Sequence, residues 1–149
     1  MITIKRTDSN NIDFIKLVKA LDAFLKVSDG DDHDFYNQYN NIDVINHVVM
    51  AYKDSIPLGC GAIKKHNDGS VEIKRMYVNL ENRSLGVATK ILSELEIWSK
   101  ELGYKKCVLE TGIVLKSAIK LYQSNGYQSI PNYGQYKHAK KSICFEKHL

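Results

Sequence analysis

No apolar run in the 149 residues approaches the roughly 20 that a bilayer-spanning helix needs, which excludes a membrane helix from the expected structure. The opening segment Met1–Arg6 lacks an apolar signal core and a small-residue cleavage site; it predicts a strand. There are only two prolines and no repeat, low-complexity tract or Pro/Gly-rich linker, so residues 1–149 are expected to form one domain. The three cysteines, Cys60, Cys107 and Cys144, are odd in number and far apart. That spacing argues against a disulfide framework or a zinc site and predicts buried free thiols in a reducing cytoplasm. His47, His66, His138 and His148 show no metal or triad spacing, so no metal is expected. The net charge of +4 comes without a dense Lys/Arg block or interleaved aromatics, which speaks against nucleic acid as a partner. Neither a Walker loop nor a Gly-x-Gly-x-x-Gly fingerprint occurs.

What is present centres on Arg83-Ser84-Leu85-Gly86-Val87-Ala88. Before it, Val71–Val78 alternates and is rich in β-formers. After it, Ile91, Leu92, Leu95 and Trp98 recur at helical spacing. A strand passing through a glycine-containing loop into a helix aims free backbone N–H groups and the positive end of the helix dipole at one point, a cradle for phosphate or pyrophosphate. Arg83 adds a cation at the rim, and Gly86 lets the backbone approach a ligand closely.

The remaining pattern predicts a strand over Ile2–Arg6 and a helix capped by Ser9 or Asn10. The apolar stripe of that helix is Ile12, Ile15, Leu17, Val18, Leu21 and Leu25. A polar, turn-like run, Ser28–Tyr36, precedes a short helix. Strands follow at His47–Tyr52 and Leu58–Lys64, joined at Lys53–Ser55, and the Asp68-Gly69 turn leads into Val71–Val78. Helices are expected over Val87–Glu101 and Leu115–Ser124, with strands over Lys106–Thr111 and Ser142–Lys147. Meandering strands followed by strands alternating with helices imply an α/β (α+β) mixed sheet flanked by helices. A cleft is expected where the strand order switches.

Arg83, Gly86 and Ala88 fit a Gln/Arg-x-x-Gly-x-Gly/Ala pattern, and Ala118-Ile119-Lys120-Leu121-Tyr122-Gln123-Ser124-Asn125-Gly126-Tyr127 fits Ala-Ile-x-Leu-Tyr-x-x-x-Gly-Phe/Tyr. Both patterns, in this order and separation, resemble the GNAT superfamily of acetyl-CoA-dependent N-acetyltransferases. The resemblance is good from about Val71 to Tyr127, loose to Leu149 and poor before residue 45. It implies that Arg83, Ser84, Leu85, Gly86, Val87, Ala88 and Thr89 hold the pyrophosphate of acetyl-CoA. The backbone of Met76, Tyr77 and Val78 would pair with the pantetheine arm. Ser84 stands where many members have glycine. Leu115 stands where many have a cofactor-binding asparagine, and the neighbouring Lys116 could meet a CoA phosphate.

The resemblance also implies catalytic roles. Tyr122 sits where family members protonate the departing CoA thiolate, set against a purely packing role on its helix. Glu72, eleven positions before Arg83, sits where some members place a base or water-orienting group; the alternative is an ion pair with a lysine such as Lys74. The acidic run Asp29, Asp31, Asp32, Asp34 with His33 falls where the family shapes its acceptor site. It reads either as a solvated turn or as a collar for a cationic amine. An EF-hand is excluded, because Asp34 and Asn40 stand where that loop needs glycine and glutamate. Tyr133-Gly134-Gln135-Tyr136 could wall the same cleft. The expected substrate-binding residues are therefore Asp31, Asp32, His33 and Tyr133. The expected activity is direct acetyl transfer from acetyl-CoA to a small primary amine in the cytoplasm, with no membrane partner. A catalytically silent acyl-CoA sensor, a protein or peptide acetyltransferase and a homodimer all stay open.

Overall fold

A computed structural model of the chain describes residues 1–37 and 45–149. Its elements run β1 (Ile2–Thr7), α1 (Ile12–Asp29), a 3-10 turn (Gly30–Asp32), α2 (His33–Asn37), β2 (His47–Lys53), β3 (Ile56–Asn67), β4 (Ser70–Val78), a second 3-10 turn (Leu80–Asn82), α3 (Val87–Glu101), β5 (Lys106–Gly112), α4 (Lys116–Ser124), β6 (Gln128–Ile130), a third 3-10 turn (Gly134–Tyr136) and β7 (Ser142–His148). The seven strands form one sheet in the order β1-β2-β3-β4-β5-β7-β6. The first four meander through tight turns. Asp54 and Ser55 both take positive φ between β2 and β3, a backbone that suits a two-residue hairpin. Asn67 Oδ1 accepts from Gly69 N at 3.1 Å in the next turn.

All neighbouring strand pairs are antiparallel except β4 and β5, whose parallel pairing requires the crossover helix α3. That pairing covers only Ser70–Glu72 against Lys106–Val108. Beyond Glu72 the two strands part, and the wedge between them is where a ligand can enter. A β-bulge sharpens the divergence: Cys60 faces Tyr77 and Ala62 faces Lys74, so Arg75 and Met76 together oppose Gly61. Arg75 takes φ 59° there and is held by Asp22 at 2.9 Å. Gly61 is required by packing, since a Cβ would lie 2.5 Å from Met76 Sδ and 2.9 Å from Ile91 and Leu95.

Each face of the sheet carries its own core. Val49, Ile63, Val71, Ile73 and Leu109 pack against Ile91, Leu92 and Leu95 of α3, with Tyr122 of α4 in the same cluster. Val48, Met50 and Ala62 pack against Phe14, Leu17 and Val18 of α1. Burying each such side chain contributes about 1.5–3 kcal/mol. This two-layer coating leaves Glu72, Lys74 and Glu110 on the α1 side, because side chains alternate along a strand.

The mixed sheet and the single domain built around it follow the sequence expectation; several boundaries do not. Asn11, rather than Ser9 or Asn10, caps α1 by accepting from Phe14 N at 2.9 Å. Ile12 is 69% exposed, and Phe14, absent from the expected stripe, is fully buried. Phe14 lies on the face of Leu17, Val18 and Leu21 by i, i+3, i+4, i+7 spacing, and Ile12 falls outside it. Helix α1 also continues through Ser28 and Asp29, which had read as a turn. Among the described residues no helix is long and apolar enough to cross a membrane.

Candidate active site

A cleft of about 970 Å³ opens where β4 and β5 part, bounded by α1, α3 and α4. At one end Gly86 adopts φ 79° and ψ 8° as the N-cap of α3. No side chain caps this helix and its first turn holds no acid, so its leading N–H groups and positive dipole stay available to an anion. Ser84 also takes a positive φ, 68°, a conformation an L-residue adopts at some strain. Arg83 is fixed before any ligand arrives: its Nε donates to Val78 O at 2.9 Å, and its guanidinium lies 5.3 Å and 5.6 Å from the Phe24 and Tyr77 ring centres. Met76, Tyr77, Val78, Arg83, Ser84, Gly86, Val87, Ala88 and Thr89 all line the cleft, with Lys116 on the facing helix. The side chain of Leu85 is 60% exposed and outside the cleft.

The other end is acidic. Glu72 is 9% exposed; Tyr133 Oη donates to its Oε2 at 2.5 Å, and Lys74 Nζ lies 3.7 Å from its Oε1. The ion pair considered from the sequence therefore exists, along β4 itself. Burial lowers the Lys74 pKa, and the charge of Glu72 opposes that shift. Glu110, on β5 facing the same space, was not among the residues singled out from sequence. Burial pushes its carboxyl up to about 7, with the charge of Glu72 adding and the hydrogen bond from Ser142 Oγ (2.7 Å) opposing. The available signal was a lone acid closing the apolar run Cys107-Val108-Leu109.

Between the two ends lies Tyr122. Its ring packs edge-on to Tyr127 and tilted on Phe145, yet its hydroxyl makes no hydrogen bond to another described residue. Burial, with Glu110 nearby, holds the phenol well above its ordinary range, so it keeps its proton.

The acidic run behaves differently from a collar. Of its members, Asp29 lines the cleft, whereas Asp31, Asp32 and His33 do not. Asp32 is paired with Lys141 at 2.7 Å, and His33 Nδ1 lies 3.7 Å from Asp29. These residues form a 3-10 turn and a short helix rather than an open loop, which turns Asp31 to solvent. Tyr133 also stays off the cleft wall and acts through Glu72, while Tyr136 and Tyr36 line the wall, stacked at 6.5 Å.

A cationic helix terminus thus shares one cleft with a buried carboxylate and a protonated phenol. Residues 45–129 match the family model of the acetyltransferase (GNAT) domain. An N-acetyltransferase of Schizosaccharomyces pombe is 36% identical over 87 residues, which cover 58% of this chain and 53% of that protein. The chain thus spans about half the length of that relative. A structure assigned as an acyl-CoA N-acyltransferase from Klebsiella pneumoniae superimposes with a TM-score of 0.83 at 30% identity, covering 100% of this chain and 98% of the other. A GNAT acetyltransferase from Elizabethkingia anophelis, solved with acetyl-CoA bound, shares the fold at a TM-score of 0.72 and 19% identity, covering 99% and 98%. The chain belongs to the GNAT acetyltransferase family.

Proposed function

We propose that the protein transfers the acetyl group of acetyl-CoA directly to the primary amine of a small cationic molecule. The observation that carries this reading is the polarity of the cleft, with Arg83 and the uncapped start of α3 at one end and Asp29, Glu72 and Glu110 at the other. Acetyl-CoA lies with its pyrophosphate on residues 83–89 and its pantetheine along Met76–Val78, where β4 has parted from β5. An ammonium is drawn to the acidic end, loses a proton there, and attacks the thioester carbonyl. Glu110 accepts that proton, since a carboxyl poised near neutrality is matched to the task. Glu72, its oxygens engaged by Tyr133 and Lys74, orients the amine in place of the base role expected for it. Tyr122 returns a proton to the CoA sulfur. An acyl-cysteine intermediate is disfavoured, because burial raises Cys60 to about 12 and Cys107 and Cys144 to about 11, which keeps them as thiols. The three unpaired, buried thiols suit the cytoplasm.

The deciding experiment measures CoA release across a panel of small amines, amino acids and peptides. The proposal expects turnover with small cationic amines. Turnover confined to peptides would overturn the substrate class. Tight acetyl-CoA binding without turnover on any member would make the protein a sensor.

A further inference from the structure

Glu110 is half-buried in the cleft wall, and once acetyl-CoA and amine cover it the proton it has taken loses direct contact with bulk water. Ser142 Oγ, at the start of β7, lies 2.7 Å from Glu110 Oε2 and 3.1 Å from Tyr36 Oη on α2. A serine hydroxyl has one proton to donate. When Glu110 is ionised, Ser142 donates to it and Tyr36 donates to Ser142. When Glu110 is protonated, both hydrogen bonds reverse. Tyr36 is partly exposed, stacks on Tyr136, and is held in place by the Asp32–Lys141 bridge between its helix turn and the residue before Ser142. We propose that Glu110, Ser142 and Tyr36 form a relay that carries the reaction proton from the closed cleft to solvent.

The inference rests on the acetyl-transfer reading above. In the balanced step the amine N–H bond breaks and its proton joins Glu110 Oε2. That proton then passes to Ser142 Oγ, the Ser142 proton passes to Tyr36 Oη, and the phenolic proton of Tyr36 leaves to water. Each oxygen ends with its original complement, and rotation of the two hydroxyls resets the chain. The groups facing the relay are Glu72 and Lys74 from β4, Asp29 and Asp32 from the end of α1 and the turn after it, Tyr122 from α4, Tyr136 from the third 3-10 turn, and Cys144 and Lys141 at β7. Burial raises the Tyr36 pKa, which keeps it neutral and able to pass a proton on. Ser142 and Tyr36 are positioning and proton-passing groups rather than residues that touch the amine.

The test uses the full chain, saturating acetyl-CoA and the best amine of the panel, with Ser142→Ala, Tyr36→Phe and Ser142→Thr. Ser142→Ala and Tyr36→Phe should each lower kcat about tenfold or more, short of the ~10²–10⁴ of a direct acid–base group, with KM for acetyl-CoA unchanged. Ser142→Thr should retain wild-type kcat. In the two damaged variants kcat should carry a larger solvent deuterium isotope effect than in wild type, because proton release then limits turnover; lost packing would not raise it. Wild-type kcat in both variants would overturn the relay, as would a loss that threonine does not repair or that leaves the isotope effect unchanged. Wild type that transfers acetyl to no amine at all would instead remove the underlying reading.

Discussion

Replacing Glu110 by glutamine should make the protein more stable and nearly inactive, and the gain in stability should be absent near pH 4 and build up as pH rises from the ordinary carboxylate range to neutrality. The Glu110 carboxyl is raised from 4.5 to about 7 in the folded chain. A raised acid favours folding fully below its unfolded pKa and loses that contribution as pH climbs through the folded value. At about 1.4 kcal/mol per unit, ionising Glu110 in place costs up to about 3 kcal/mol at pH 8 and nothing at pH 4. Glutamine keeps the shape and still accepts from Ser142 without carrying the charge. For a chain of this size, 1 kcal/mol shifts Tm by roughly 2–4 °C, so Glu110→Gln should unfold up to about 6–12 °C higher than wild type at pH 8. At pH 4 the two should coincide. Every other titrating group is common to both proteins, so the difference reads Glu110 together with its coupling to Glu72, Lys74, Tyr36, Tyr122 and Tyr136. Thermal unfolding followed by circular dichroism at both pH values reads the effect directly. A Tm difference of the same size and sign at pH 4 and pH 8 would refute the electrostatic argument. In parallel, kcat should fall about 10²–10⁴-fold while acetyl-CoA affinity holds.

Two further perturbations probe the cofactor end and the leaving group. Gly86→Val forces a branched side chain into φ 79°; the space around Gly86 is open, so the core should survive while the loop rearranges. Calorimetry should then show acetyl-CoA binding weakened at least tenfold, about 1.4 kcal/mol, and an unchanged affinity would show that the loop does not hold the pyrophosphate. Tyr122→Phe removes a hydroxyl that bonds to no other described residue, so stability should change little while kcat falls about 10²–10⁴-fold. Wild-type turnover in that variant would reduce Tyr122 to a packing residue.

The glycine turn that leads into α3 was legible because it is local. Arg83, Gly86 and the start of α3 are consecutive, and a glycine before an amphipathic helix carries its geometry in its own backbone. Tyr122 was legible for a similar reason, since the segment from Ala118 to Tyr127 is one helix and its C-terminal turn. The opposite end of the cleft was less legible because its members are far apart in the chain. Asp31 and Asp32 look like a collar as a string of aspartates, yet Lys141, more than a hundred positions away, claims Asp32. Of the two roles the sequence offered Glu72, a base or an ion pair with a lysine such as Lys74, the pair is present, and Tyr133, distant in the chain, adds a hydrogen bond.

Local pattern by itself therefore determined the order of the main strands and helices and the glycine turn before α3, because these depend on side-chain periodicity and on backbone freedom within a few residues; the resemblance to the GNAT family is what pointed to acetyl-CoA. The tertiary structure alone decided which groups meet at the opposite end of the cleft. The early parting of β4 from β5 opens the cleft, and strand alternation puts Glu72, Lys74 and Glu110 on one face. The antiparallel pairing of β5 with β7 then brings Ser142 to Glu110. Desolvation, which sets the Glu110 pKa, is a property of what surrounds a group once the chain has closed, and no stretch of sequence contains it.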